Sequence, residues 1–176
     1  GLSNPAAIGK GYDMFKELQR TGNYQKHNLS VSGGSENATF RINGIYSSDK
    51  PVFIKEDYEN LGVQFISDWR KGRLRMGETV LVRRKQHDWS EKNLLIAQKW
   101  SSTVPLYDPE SSSGFAGAGN GTDCESSLAE AHLNWHKSEE LTVNGNVWAS
   151  LDIMDGLTYK FNLGVDMYRY HLQDYT

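Results

Sequence analysis

Leu157–Tyr170 reads LTYKFNLGVDMYRY, and its alternation of apolar and polar residues is close to unbroken. Tyr159, Phe161, Leu163, Val165 and Met167 share one parity, while Thr158, Lys160, Asn162, Gly164 and Asp166 share the other. Successive side chains on a strand face opposite sides, so the stretch predicts one apolar wall and one wet wall. A transmembrane β-barrel and a soluble β-sandwich both use such strands. Length favours the barrel: about ten residues at roughly 3.3 Å each, tilted by about 40°, cover about 25 Å, the height of an outer-membrane barrel's apolar band. Sandwich strands more often run to about five or six residues.

The same pattern recurs upstream. Tyr24–Ser32 carries Leu29 and Val31 on one face, and Thr39–Tyr46 carries Phe40, Ile42 and Tyr46. Between them Gly33-Gly34-Ser35-Glu36-Asn37 has hairpin length and residues that tolerate positive φ. Ser47–Pro51 reads as a turn. In Tyr58–Trp69, Leu61, Val63 and Phe65 keep step, and Ile66 and Trp69 are read as breaking it. Lys71-Gly72 turns the chain into Arg73–Arg83. The last segments are His132–Lys137, Leu141–Ile153 and Leu157–Leu172, with the hairpin signal Asp155-Gly156 between the final two. The predicted class is all-β: an antiparallel β-meander of about seven amphipathic strands, rolled into a small barrel or sandwich if it folds alone. Residues 1–176 read as a single β domain, and the family resemblance described below implies that it is a segment of a larger transmembrane β-barrel.

Two regions depart from this rhythm. Within Asn4–Tyr24, Met14, Phe15 and Leu18 support one or two helical turns. Residues 86–127 read as a long loop, with a short helix over Ser90–Trp100 capped by Ser90. Behind it come Pro105, Pro109 and the glycine- and serine-rich run Ser111–Gly121. Long loops of this kind belong on the extracellular side of an outer-membrane barrel and short turns on the periplasmic side.

Bulk properties narrow the function. A net charge of −3 offers no basic surface for nucleic acid, and Arg83-Arg84-Lys85 reads as a solvated strand end. Mean hydropathy is −0.63, and no apolar run approaches the roughly 18 residues of a spanning helix. Barrel strands escape such a scan because every second residue is polar. Cys124 is the single cysteine, so it forms no internal disulfide, and in its polar loop it reads as a spectator thiol. No secretion signal opens the sequence; an exported protein would carry one upstream, and Gly1 fits an expression-tag remnant.

Little of the sequence reads as catalytic, and no cofactor is expected. His132 and His136 lie four apart, which leaves both on one side of a helix or strand; the bland reading is a pair of polar-face histidines, the sharper one a partial metal site. Gly114–Gly121 lacks the Gly-Lys-Ser or Gly-Lys-Thr of a phosphate loop. Glu139-Glu140 reads as a solvated turn, since strand neighbours face opposite ways. Five tryptophans and nine tyrosines are the more informative group. Tyr168 and Tyr170 beside Arg169 fit an interfacial girdle. Trp89, Trp100 and Tyr107 are candidate ligand contacts that would stack on sugar rings; the alternative places them in a core or girdle.

Three stretches carry a family resemblance. HNLSVSGGSENATF (His27–Phe40), led by Arg20-Thr21-Gly22, resembles an early barrel hairpin of SusC/RagA-type TonB-linked outer-membrane transporters. Thr103–Asp108 is similar to that family's proline- and tyrosine-bearing segment before a long loop. Asn144–Asp166, with Asp155-Gly156-Leu157 at its turn, resembles a later hairpin, and Asp57-Tyr58-Glu59 opens a strand in the same manner. The resemblance implies non-catalytic, energised import of a glycan or peptide nutrient across an outer membrane. The partners it implies are a SusD-like surface lipoprotein and TonB. Such barrels have about 22 strands around a plugged lumen, and no stretch here matches the plug. The rival reading is a soluble β-sandwich carbohydrate-binding module.

Overall fold

The computed structural model describes residues 11–118 and 122–175. Gly1, Asn4, Pro5 and Gly119–Gly121 of the stretches discussed above lie outside them. The chain forms one six-stranded antiparallel sheet, each strand pairing with the next in sequence. The strands are β1 (Asn23–Gly34), β2 (Ala38–Lys50), β3 (Asp57–Lys71), β4 (Leu74–Ser90), β5 (Trp135–Met154) and β6 (Leu157–Tyr175). Among the described residues there are also three short helices, α1 (Met14–Glu17), α2 (Leu94–Lys99) and α3 (Ser127–Leu133). The all-β meander expected from sequence is the observed fold. It has six strands where about seven were counted, and it is a single open layer rather than a closed barrel or a sandwich.

The difference in count has one source. His132–Lys137 and Leu141–Ile153 do not form two strands: His132 ends α3, and β5 then runs unbroken through Glu139-Glu140. Those carboxylates do not force a turn because cross-strand cations meet them, Arg84 beside Glu139 at 3.0 Å and Lys85 beside Glu140 at 3.4 Å. β4 likewise continues past Arg83 and takes in residues 86–90, and Ser127 opens α3, so both ends of the expected 86–127 loop are ordered elements. Ser90 closes β4 rather than capping a helix; the side chain of Asn93 caps α2, accepting from Ile96 N at 3.1 Å.

Register sorts the sheet into two faces. One row across it joins Leu29, Gly44, Val63, Val82, Val143 and Met167; the next joins Val31, Ile42, Phe65, Val80, Gly145 and Val165. The opposite face holds rows such as Ser30, Asn43, Gln64, Leu81, Asn144 and Asp166. Trp69 pairs with Met76 on the apolar face and so keeps step in β3, whereas Ile66 falls on the polar face and Ser67 on the apolar one. The apolar face is uncovered, with Leu29 71% and Met167 62% exposed.

Burial is concentrated elsewhere. Met14, Leu18, Ala97, Trp100, Val104, Leu106, Ala116, Leu128 and Ala131 form one core, with Phe15, Ile54, Leu94 and Phe115 packed against it. These residues come from the three helices and from the two longer connections, 51–56 and 91–134. Both connections join strands at the same end of the sheet. The tight turns at Ser35–Asn37, Gly72-Arg73 and Asp155-Gly156 lie at the other. The result is a small helical cap with its own core, seated at the long-connection end of an uncovered sheet.

Candidate functional site

Arg20 fastens the cap's N-terminal segment to the sheet. Its side chain donates to Pro51 O at 3.0 Å and Glu56 O at 2.6 Å, and it pairs with Asp57 Oδ1 at 2.5 Å. Arg20 and Asp57 belong to two of the stretches that carry the family resemblance, and the fold brings them together. Lys92 adds a second tie, donating to Ser90 O at 3.1 Å with Glu56 at 3.9 Å. Burial pulls the Lys92 ammonium below the usual lysine range, against the opposing pull of Glu56.

The polar face is laced by amide and hydroxyl contacts. Ser30 donates to Asn43 Oδ1 at 2.8 Å, and Asn43 Nδ2 donates to Gln64 Oε1 at 3.1 Å. Asn146 donates to Asn162 at 2.7 Å, and Asn144 to Asp166. Alternation places these groups on one side, but only the register makes them neighbours.

Toward the cap this face deepens into a recess of about 280 Å³, with Asp49, Tyr58, Asn60, Lys85, His87 and Glu140 in its lining. Two buried polar atoms there, Asn60 Oδ1 and His87 Nε2, have no hydrogen-bond partner among the described residues. An unpaired buried polar atom costs about 1–3 kcal/mol, so a hydroxyl or amide entering the recess gains by meeting one. An aromatic file leads away from it: Tyr58 stacks on His87 at 4.0 Å, His87 on Trp89 at 4.5 Å, and Trp89 on His136 at 5.2 Å. His136 is held by Asp174 at 2.6 Å through Nδ1, with Glu91 3.7 Å from Nε2. Rings beside hydrogen-bonding groups suit a ligand with both apolar and hydroxyl or amide surface.

The three aromatic candidates therefore separate. Trp89 lies in the file on the polar face, half-buried. Trp100 is only 8% exposed inside the cap core, where its indole donates to Val104 O at 3.2 Å. Tyr107 is 54% exposed and packs against Phe115 with ring centres 5.6 Å apart. Sequence reading missed Tyr58, His87 and Asn60, which are ordinary strand residues until β3 and β4 align. Tyr168 and Tyr170 fall on the polar face, not with the apolar rows; aromatic residues toward the borders of the apolar face include Tyr46, Trp69 and Tyr159.

His132 and His136 do not act as a pair. The junction at Asn134 puts His132 on α3, stacked on Phe115 at 5.3 Å, and His136 on β5. Partial desolvation first, then the Lys55 ammonium, hold the His132 imidazole below the usual histidine range. Among the described residues no group of three or more His, Cys, Asp or Glu side chains is placed to hold a metal ion. Cys124 donates to Asp123 Oδ1 at 3.4 Å in the cap's connecting loop. No helix among the described residues is long and apolar enough to cross a membrane, which leaves spanning by strands open. No family model and no curated protein matches this sequence.

Proposed function

We propose that this chain is part of the wall of an outer-membrane β-barrel importer of the SusC/RagA type, with its apolar face toward lipid and its polar face toward a hydrated lumen. The observation that carries the reading is the separation of faces, kept in register across all six strands. From Leu157 to Met167 the apolar parity covers about 33 Å of strand, hence about 25 Å of height at a tilt of about 40°. Strands of 12 to 20 residues support a barrel wall over a sandwich layer. Tight turns at one end and a folded cap at the other fit the periplasmic and extracellular ends of such a barrel. Six strands are about a quarter of a 22-stranded wall, which explains why the sheet stays open.

In this reading the chain catalyses nothing. The polar recess and the Trp89 file form part of the nutrient's path, and a glycan or peptide supplies the hydroxyl or amide groups they receive. A SusD-like surface lipoprotein would meet the cap end, and TonB would act through parts of the importer beyond these residues. Alternating cysteine labelling tests the orientation. With Cys124 first replaced by serine, Leu163→Cys in vesicles should react with a membrane-soluble maleimide and Asn162→Cys with a charged, water-soluble one. Equal reaction of both sites with the charged reagent would remove the lipid-facing assignment.

A further inference from the structure

Glu78 stands out on the apolar face. The rows between the Leu74–Leu151 rim and the Arg84–Leu141 rim hold leucine, isoleucine, valine, phenylalanine, methionine, tryptophan, alanine and glycine, with two exceptions that sit opposite one another, Ser67 and Glu78. Ser67 is 5% exposed and its hydroxyl donates to Glu78 Oε1 at 3.1 Å. The two line a recess of about 210 Å³ with Trp69, Met76, Gly77 and Val147. Glu78 is exposed and lines an apolar notch, in the only charged position of the band among the described residues.

Depth suggests what meets it. Trp69 and Tyr159 border the apolar face near the tight-turn end, where aromatic residues mark a membrane interface. Glu78 lies one row inward from Trp69, about 7 Å along the strand. A headgroup at the level of the indole can reach it, whereas an acyl chain leaves the carboxylate without a counter-charge. An anionic headgroup is repelled, and a quaternary ammonium donates no hydrogen bond. A primary ammonium can donate to the carboxylate while lying against the exposed indole face.

Resting on the wall reading above, we infer that the Ser67–Glu78–Trp69 notch is a binding site for a phospholipid with a primary-ammonium headgroup, on the leaflet facing the tight turns. Charge complementarity and the uncovered indole select this occupant.

The full chain is mixed with phosphatidylcholine vesicles and tested first by flotation, with circular dichroism to check folding. Spin-labelled phosphatidylethanolamine and spin-labelled phosphatidylcholine are then compared for immobilisation at the protein surface. The site requires a preference of about threefold or more for the ethanolamine lipid, the size of a modest cation–π contact. Glu78→Gln, which keeps the serine contact, should bring the two lipids to parity. Asp166→Asn on the polar face, an equal change in charge, should leave the preference intact. Equal immobilisation by the wild-type chain, or a preference surviving Glu78→Gln, overturns the site. A Glu78-dependent cross-link between copies without lipid preference assigns the notch to a protein cation and also overturns it. Failure to float removes the bilayer and sinks the wall reading together with the site, whereas flotation without headgroup preference sinks the site alone.

Discussion

Single residues show how closely the sheet is fitted even though its apolar face is uncovered. A Cβ built on Gly77 would stand 2.6 Å from Trp148 Nε1 and 2.8 Å from Asp68 Oδ1, because the indole of Trp148 covers its cross-strand partner. Gly44 faces only Leu29 O at 3.9 Å. Gly77→Val should therefore cost about 1–3 kcal/mol, the usual range for overpacking, and Gly44→Ala far less. Urea unfolding measures both; equal losses would disprove the fit. His132 makes a pH prediction for the cap. Its imidazole is held below the ordinary histidine value of about 6.5, so the unfolded cap takes up the proton first. Cap stability should be complete above that value and fall as pH drops through it toward the folded value. Hydrogen exchange across residues 94–133 should speed up over that window, and His132→Phe should flatten the response. The glycines and histidines were visible in the sequence, but their partners were not, since Gly77 and Trp148 lie 71 positions apart and meet only by register.

At the scale of elements, alternation located every strand, because a period of two survives on any sheet with unlike faces. It placed their ends less well. β4 and β5 outrun their apolar stretches because charged residues continue the ladder once a partner stands opposite, as Lys85 does for Glu140. β6 offers a direct comparison. If the proposed barrel wall holds, Val165→Arg puts a charge near the middle of the apolar band and should cost about 2–4 kcal/mol of folding in a bilayer, while Asp166→Arg on the other face should cost little. The folded fraction recovered in vesicles reads this difference, and similar losses at both sites would contradict the two faces. α1, α2 and α3 are each too short to be stable alone and depend on their shared core. Leu128, 1% exposed at its centre, should lose about 2–5 kcal/mol of cap stability on change to alanine. Limited proteolysis should then cut the 91–134 connection while the sheet persists.

Among the described residues the sheet has an apolar face and two unpaired edges, β1 and β6. Uncovered apolar surface and unpaired strand edges favour association in water. Sedimentation should find the chain self-associated in buffer and dispersed in detergent; a stable monomer in buffer would argue that something other than lipid covers the sheet. The alternation in Leu157–Tyr170 and its relatives was enough to set an all-β meander with one oily and one wet face, because side-chain direction on a strand follows from backbone geometry alone. The closure of the sheet, the cap and the site did not follow from it. The tertiary structure decided that Trp100 is core while Trp89 joins a file of rings, that Tyr168 faces the polar side, and that Ser67 and Glu78 share a notch. Each of these depends on which residues stand opposite one another across strands, and pairing over tens of residues is fixed by packing and ladder register rather than by any local stretch of chain.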